Sequence, residues 1–135
     1  MDTLTAAERS ERMRRVRGRD TKPETMVRGL MHRLGYRFRK HRKDLPGRPD
    51  AAFPRRRKAV FVHGCFWHRH DCPAGRRLPK SRIDFWGPKL ERNAQRDAAN
   101  LALLRDMGWA TLVVWECETR DVDALAGRLR RFLDA

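Results

Sequence analysis

The chain has 135 residues, with 32 Lys and Arg against 17 Asp and Glu, a formal net charge of +15. That length fits one domain, and a hydrophobic share of 40% can fill one core. The charge predicts a polyanionic partner, nucleic acid rather than membrane, because no apolar run approaches the roughly 20 residues of a membrane span.

The first 15 residues are charged and lack the apolar stretch of a signal peptide, so the expected location is cytoplasmic, at the nucleoid. An N-terminal arm, residues 5–19, opens on the capping-box pattern Thr5-Ala-Ala-Glu8 and is crowded with Arg. Met13 and Val16 are its apolar residues, too few for firm packing of a helix face. A second capping box, Thr21-Lys-Pro-Glu24, starts a better helix. There Met26, Val27, Leu30, Met31 and Leu34 recur at helical spacing, and Gly35 ends it. Residues 36–41 alternate aromatic and basic side chains, as a strand with one wet face does.

After the turn Leu45-Pro-Gly-Arg-Pro49, two short strands, 50–53 and 58–63, form a predicted hairpin. With Phe53 facing Lys58, Asp50 falls opposite Phe61, beside Val62 and close to His63. Residues 64–87 are irregular and rich in Gly, Pro, His, Cys and Arg. A loop of that length in a small domain is usually functional or held by a ligand. A helix is predicted over 88–107, with Leu90, Ala94, Leu101 and Leu104 on one stripe and Asp97 on the same stripe. Residues 109–115 form a continuous apolar strand, predicted to be covered on both faces. An amphipathic helix over 121–133 closes the chain. The order predicts an α/β fold, a mixed central sheet flanked by helices.

Cys65, His70, Cys72 and Cys117 supply three thiolates and an imidazole, a closed tetrahedral set of the kind structural zinc uses. An odd number of cysteines in a reducing compartment favours metal over disulfides. Such a site would staple the irregular loop to the end of the apolar strand. His63 and His68 are then left over, either as proton acceptors near neutral pH or as loop residues facing DNA. Asp50 is a carboxylate in a basic chain, suited to Mg²⁺ held through carboxylate, water and substrate phosphate, or to a turn that bonds its own backbone. Glu24 suits helix capping or catalysis, and Asp97 requires a partner, His or Arg, if buried. Phe66-Trp67 and Phe85-Trp86 sit in basic, Gly- and Pro-rich surroundings, where rigid aromatics can stack on bases or wedge into a duplex. Phe85 is the one of the four best suited to the core.

Three segments carry a resemblance: His41-Arg-Lys-Asp-Leu-Pro-Gly-Arg-Pro-Asp50, Phe61-Val-His-Gly-Cys-Phe-Trp-His68 and Trp115-Glu-Cys117. With residues 82–97 they resemble the very-short-patch-repair endonucleases over nearly the whole chain. The resemblance implies a restriction-endonuclease-like core within a single domain, 1–135, whose residues 1–19 are a DNA-contacting arm. It implies Asp50 as the principal Mg²⁺ ligand and the main-chain carbonyl of Val62 as another. It makes His68 the general base, with Glu24 and His63 in support, and Cys65, His70, Cys72 and Cys117 the structural zinc ligands. Phe66, Trp67 and Trp86 would enter the duplex, Met13 would insert from the other groove, and Lys89 and Asn93 would lie near the recognition surface. Asp97 would be the partner of a histidine.

The implied activity is Mg²⁺-dependent nicking of one strand on the 5′ side of the T in a T:G mismatch, the product of 5-methylcytosine deamination. The implied partner is double-stranded DNA, met by a monomer, with a functional link to a cytosine-5 methyltransferase and a repair polymerase. Two rival readings account for part of the same pattern: a zinc-stabilised DNA-binding module without catalysis, and a nuclease of the same core whose target is independent of mismatches.

Overall fold

The computed structural model describes residues 22–76 and 83–135, with side chains from residue 86 onward in the second stretch. The arm, Met13 and Thr21 lie outside the described residues.

Helix α1, Lys22–Arg33, carries Glu24 in its first turn and Arg33 in its last, each charge complementing the helix dipole. Val27, Leu30 and Met31 form its buried face. Gly35, at φ +98°, closes it: its N–H donates to His32 O while the Tyr36 N–H reaches back to Met31 O, both at 3.0 Å. This pair of bonds satisfies two carbonyls the helix end leaves open.

The strand expected over 36–41 is reduced to one bridge. Arg39 exchanges both backbone bonds with Ala52, at 2.9 and 2.8 Å, and no further pair forms. His41 at φ +49° turns the chain out of extended geometry, so a ladder cannot continue there. The hairpin has the expected register. Strand β1, Ala51–Phe53, runs antiparallel to β2, Lys58–His63, with Phe53 opposite Lys58 and Ala51 opposite Val60.

A four-residue helix α2, Pro73–Arg76, lies in the loop that follows. Helix α3, Ile83–Asp106, begins five residues before the expected start, with Pro88 inside it. Pro88 stands near the N-terminal end, so its missing N–H removes one helical bond early in a long helix. Gly108, at φ +86°, ends α3 as Gly35 ends α1: Gly108 N–H donates to Arg105 O and Trp109 N–H to Leu104 O. Strand β3, Ala110–Trp115, then pairs parallel to β2, a 3₁₀ turn spans Glu116–Arg120, and α4 runs Val122–Leu133, capped by the Asp121 carboxylate accepting from Ala124 N–H.

The sheet order is β1-β2-β3, a mixed sheet flanked by helices. Its period-2 alternation divides the core. Ala51, Phe53, Val60, Val62 and Val114 pack with α1 and α4, whereas Ala52, Ala59 and Phe61 pack with Leu45 and Leu104. All six residues of β2 are buried, because it is the central strand. β3 was expected to be covered on both faces, but only Val114 is buried and Ala110 is exposed. It lies at the sheet edge, with no neighbour on its outer side among the described strands. Among the described residues no helix is long and apolar enough to cross a membrane.

Candidate active site and metal centre

Asp50 immediately precedes β1, and one end of the β1–β2 hairpin therefore presents it beside the last residues of β2. The Val62 N–H donates to Asp50 Oδ2 at 2.6 Å, and Arg28 Nη1 stands 3.8 Å from Oδ1. Arg28 is itself buried, one helical turn beyond Glu24 on α1. Burial pushes the Asp50 carboxyl up to about 7, the nearby Glu24 adds to the rise, and the Val62 N–H, Arg28 and His68 oppose it. A buried carboxylate that ionises with difficulty alone is readily completed by a bound cation.

A cavity of about 390 Å³ opens here, lined by Glu24, Asp50, Val62, His63, His68 and Asp97 among others. Every carboxylate and histidine expected to take part in the chemistry therefore faces one space. β2 ends on His63, whose side chain points to the α3 side as Ala59 and Phe61 do. His68 comes back over it after the turn in which His68 N–H donates to Gly64 O at 3.1 Å. The two rings stack, centroids 4.0 Å apart and planes 7° from parallel. Asp97, on the inward stripe of α3, places Oδ2 at 2.5 Å from His68 Nδ1 and 4.0 Å from His63 Nδ1. A carboxylate only accepts, so His68 Nδ1 carries the proton and Nε2 is left as the basic nitrogen. Burial, and the charge of His68 next to it, drive His63 down to about 4, against the pull of Asp97. His63 is thus neutral at pH 7. Its Nδ1 is buried without a hydrogen-bond partner.

Cys65, His70, Cys72 and Cys117 bring their ligand atoms within 4.8 Å of one another. Cys117 arrives from the 3₁₀ turn after β3, with its Sγ 3.6 Å from His70 Nδ1. The His70 ring stacks on Trp115 at 4.2 Å, which fixes its plane. The Gly75 N–H donates to Cys72 Sγ at 3.4 Å and is the main reason that thiol is held below its ordinary value. Burial pushes the Cys65 thiol up to about 12, so a thiolate there requires a cation beside it. The donor set and its compactness fit a tetrahedral metal ion. A second trio, His63, His68 and Asp97, is equally compact. There the His68–Asp97 bond engages both partners, an arrangement for handling a proton rather than caging a cation.

Phe66 and Trp67 contact edge to face at 5.2 Å, and Trp67 meets Trp86 at 5.9 Å. Lys89 Nζ lies 5.2 Å above the Trp86 ring, and Asn93 Nδ2 donates to Trp67 O at 3.3 Å. These five residues form one half-buried platform between the metal loop and the start of α3. The Phe85 side chain lies outside the described residues.

Several residues of the site escaped sequence reasoning. A Cβ on Gly75 would sit 1.8 Å from His70 O, so a side chain there displaces His70 from the Cys–His cluster. The only sequence signal is a glycine inside a short helix. Arg28 could have been found from its i, i+4 relation to Glu24. Asn100 and Arg48, which also line the cavity, had as signals the stripe through Asp97 and the turn before Asp50.

A hairpin end bearing a buried carboxylate, a histidine braced by a second carboxylate and an aromatic platform thus meet on one side of a strongly basic chain. The chain belongs to the Vsr family: the family model described as DNA mismatch endonuclease Vsr matches residues 1–74. It is 54% identical over 133 residues to the Type II nicking enzyme V.XorIIP of Xanthomonas oryzae pv. oryzae, covering 98% of this chain and 97% of that one. Similarity extends to the Type II nicking enzyme V.NmeAIP of Neisseria meningitidis, 39% identical with 98% and 94% covered. It extends also to the DNA mismatch endonuclease Vsr of Escherichia coli, 39% identical with 92% and 79% covered.

Proposed function

We propose that this DNA mismatch endonuclease nicks one strand on the 5′ side of the T in a T:G mismatch, as a monomer and as a single domain of residues 1–135. The observation that carries the reading is the convergence of Asp50, His63, His68, Asp97 and Glu24 on one cavity beside the aromatic platform. The mixed sheet with flanking helices is consistent with a restriction-endonuclease-like core.

In this reading Asp50 and the Val62 carbonyl hold Mg²⁺, whose place is favoured by a carboxylate that burial disfavours as a bare anion. When bound, Mg²⁺ supplies Lewis-acid stabilisation of the charge that builds on the phosphate. His68 Nε2 takes the proton of the attacking water while Asp97 holds the imidazole in that tautomer and offsets the positive charge it gains. Neutral His63, stacked on His68, fixes the ring plane and positions water, and Glu24 supports Asp50 from α1. Zinc in the Cys65, His70, Cys72 and Cys117 set holds the loop that carries both His68 and the Phe66-Trp67 pair. These two and Trp86 stack into the duplex where mispairing has lowered the cost of unstacking, with Lys89 and Asn93 alongside and Met13 entering from the other groove. A functional link to a cytosine-5 methyltransferase and a repair polymerase follows from a lesion made by deamination and a nick that needs filling.

The test is a strand-nicking assay with Mg²⁺ on a T:G duplex in a CC(A/T)GG-derived context, a matched duplex and Asp50→Ala. A single nick beside the T, absent from both controls, is expected. Equal cutting of the matched duplex would remove the mismatch specificity, and tight binding without a nick would favour a zinc-stapled binder.

A further inference from the structure

The cavity has a charge problem. Three of its lining residues, Glu24, Asp50 and Asp97, are carboxylates. A DNA phosphodiester brings a further negative charge, and more accumulates on its non-bridging oxygens as water adds to phosphorus. Among the twelve lining residues Arg48 is the one permanently cationic side chain. It is exposed, and its guanidinium makes no hydrogen bond or ion pair with any described residue.

Its backbone is unusual as well. Gly47 lies at φ +76° and Arg48 at φ +49°, two left-handed residues in succession. Glycine meets no strain there. An arginine does, because its Cβ crowds the backbone. The conformation is enforced from several sides. Arg48 N–H donates to Leu45 O at 3.2 Å, and Pro49 is fully buried. Phe61 and Asn100 close over Gly47 so tightly that a Cβ there would lie 3.0 to 3.2 Å from them. The double left-handed turn sends the chain into the sheet at Asp50 and leaves residue 48 on the rim of the cavity. Arg57, in the β1–β2 connection, shares this left-handed backbone but does not line the cavity; at Arg48 the same conformation sets a guanidinium on the cavity rim.

The geometry points to Arg48 as a catalytic residue that grips the non-bridging oxygens of the phosphodiester being cut, a role that rests on the nuclease reading of this site. Its planar fork donates two parallel N–H bonds to the phosphate and offsets charge as the bond from water to phosphorus forms and the bond to the leaving oxygen breaks. Arg48 and Asp50 are two residues apart on one rigid turn, so the anion-binding and cation-binding halves of the site move together.

The left-handed backbone makes the test clean, because Arg48→Gly removes the side chain and the strain at once. Zinc-loaded full-length protein is compared as wild type, Arg48→Gly, Arg48→Lys and Asp50→Ala. The readouts are the melting temperature, T:G duplex affinity in Ca²⁺, and the single-turnover nicking rate at saturating enzyme in Mg²⁺. Arg48→Gly should melt at the wild-type temperature or up to about 4 °C above it. It should bind within about threefold of wild type and nick about 10²–10³-fold more slowly. Arg48→Lys should recover about tenfold, since it restores the charge without the fork. A wild-type rate at saturation for Arg48→Gly, with weakened affinity, would make Arg48 a grip on DNA and overturn the role. A loss of activity matched by a fall in melting temperature would make it structural and overturn it too. In both cases active wild type and inert Asp50→Ala leave the nuclease reading standing. A wild type that binds without nicking overturns that reading, and this role with it.

Discussion

His63 and His68 stack face to face at 4.0 Å, yet Asp97 bonds only the second of them. The two imidazoles are thereby made chemically unlike. His68 has a carboxylate fixing its Nδ1 proton and a basic Nε2, whereas His63 is desolvated, held neutral and pushed down to about 4. One ring is equipped to accept a proton and the other to stay uncharged beside it.

Asp97→Asn keeps the shape but lets the amide donate as well as accept, so His68 can turn or adopt the wrong tautomer. The expected result is a nicking rate lower by about 10²–10⁴-fold with duplex affinity unchanged. Single-turnover kinetics alongside a binding isotherm check it. An unaltered rate would remove Asp97 from the mechanism.

Gly75→Ala places a methyl group where His70 O stands, 1.8 Å from the Cβ position. The metal loop must shift, and bound zinc, measured as metal per chain, should fall from one toward zero. Because structural zinc contributes on the order of 10 kcal/mol in apparent terms, the metal-free variant should melt well below wild type. Chelation of the wild-type protein should reproduce the change. Full zinc content in the variant would show that the loop repacks around the methyl group.

Asp50 supplies a pH test of stability without added Mg²⁺. Its folded-state value, about 7, is raised above the 3.8 of an ordinary Asp carboxyl. Protonated Asp50 is accommodated on folding, so its contribution is fully present below pH 4 and is lost as pH rises through 7. Asp50→Asn has no such loss. The variant should match wild type near pH 4 and exceed it at pH 8 by a few kcal/mol, at about 1.4 kcal/mol per pH unit of displacement. Urea denaturation at a series of pH values reads the difference. A constant gap across the range would show that Asp50 does not titrate there.

Lys58 is buried at the start of β2, and its ammonium donates to Phe132 O at 2.7 Å, Leu133 O at 3.1 Å and Ala135 O at 2.7 Å. The charge meets carbonyls at the C-terminal end of α4, where the helix dipole is negative. Arg56 adds a bond to Leu133 O, and the Tyr36 hydroxyl donates to Asp134. Lys58→Ala removes all three bonds, leaving Leu133 O to Arg56 and the Phe132 carbonyl without its ammonium, and should cost about 2–4 kcal/mol of unfolding free energy. Nicking should be unaffected at low temperature, because the site lies at the other end of β2. A loss below 1 kcal/mol would mean that water replaces the ammonium.

What could be read from the chain alone was set by short-range physics. The cluster of Cys65, His70, Cys72 and Cys117 was legible because few other chemistries explain three thiols and an imidazole at that spacing. The hairpin register, and with it Asp50 beside Val62, follows from a four-residue connection that fixes which strand residues meet. Helix ends at Gly35 and Gly108 follow from one residue's freedom to adopt positive φ. The rest depended on what packs against what. Residues 36–41 had strand composition, but His41 leaves the extended region, so the ladder stops at Arg39. Strand β3 had the apolar run of a covered strand, yet burial goes to the strand with neighbours on both sides, which is β2. Helical periodicity put Asp97 on an inward face without naming its partner; the α3 packing chose His68, 29 residues away. Burial at 50 and 63, which changes how those groups ionise, and the placing of Arg48 at the cavity rim are likewise products of tertiary structure. Desolvation and long-range pairing belong to the folded surroundings of a residue, and its sequence neighbours carry no record of them.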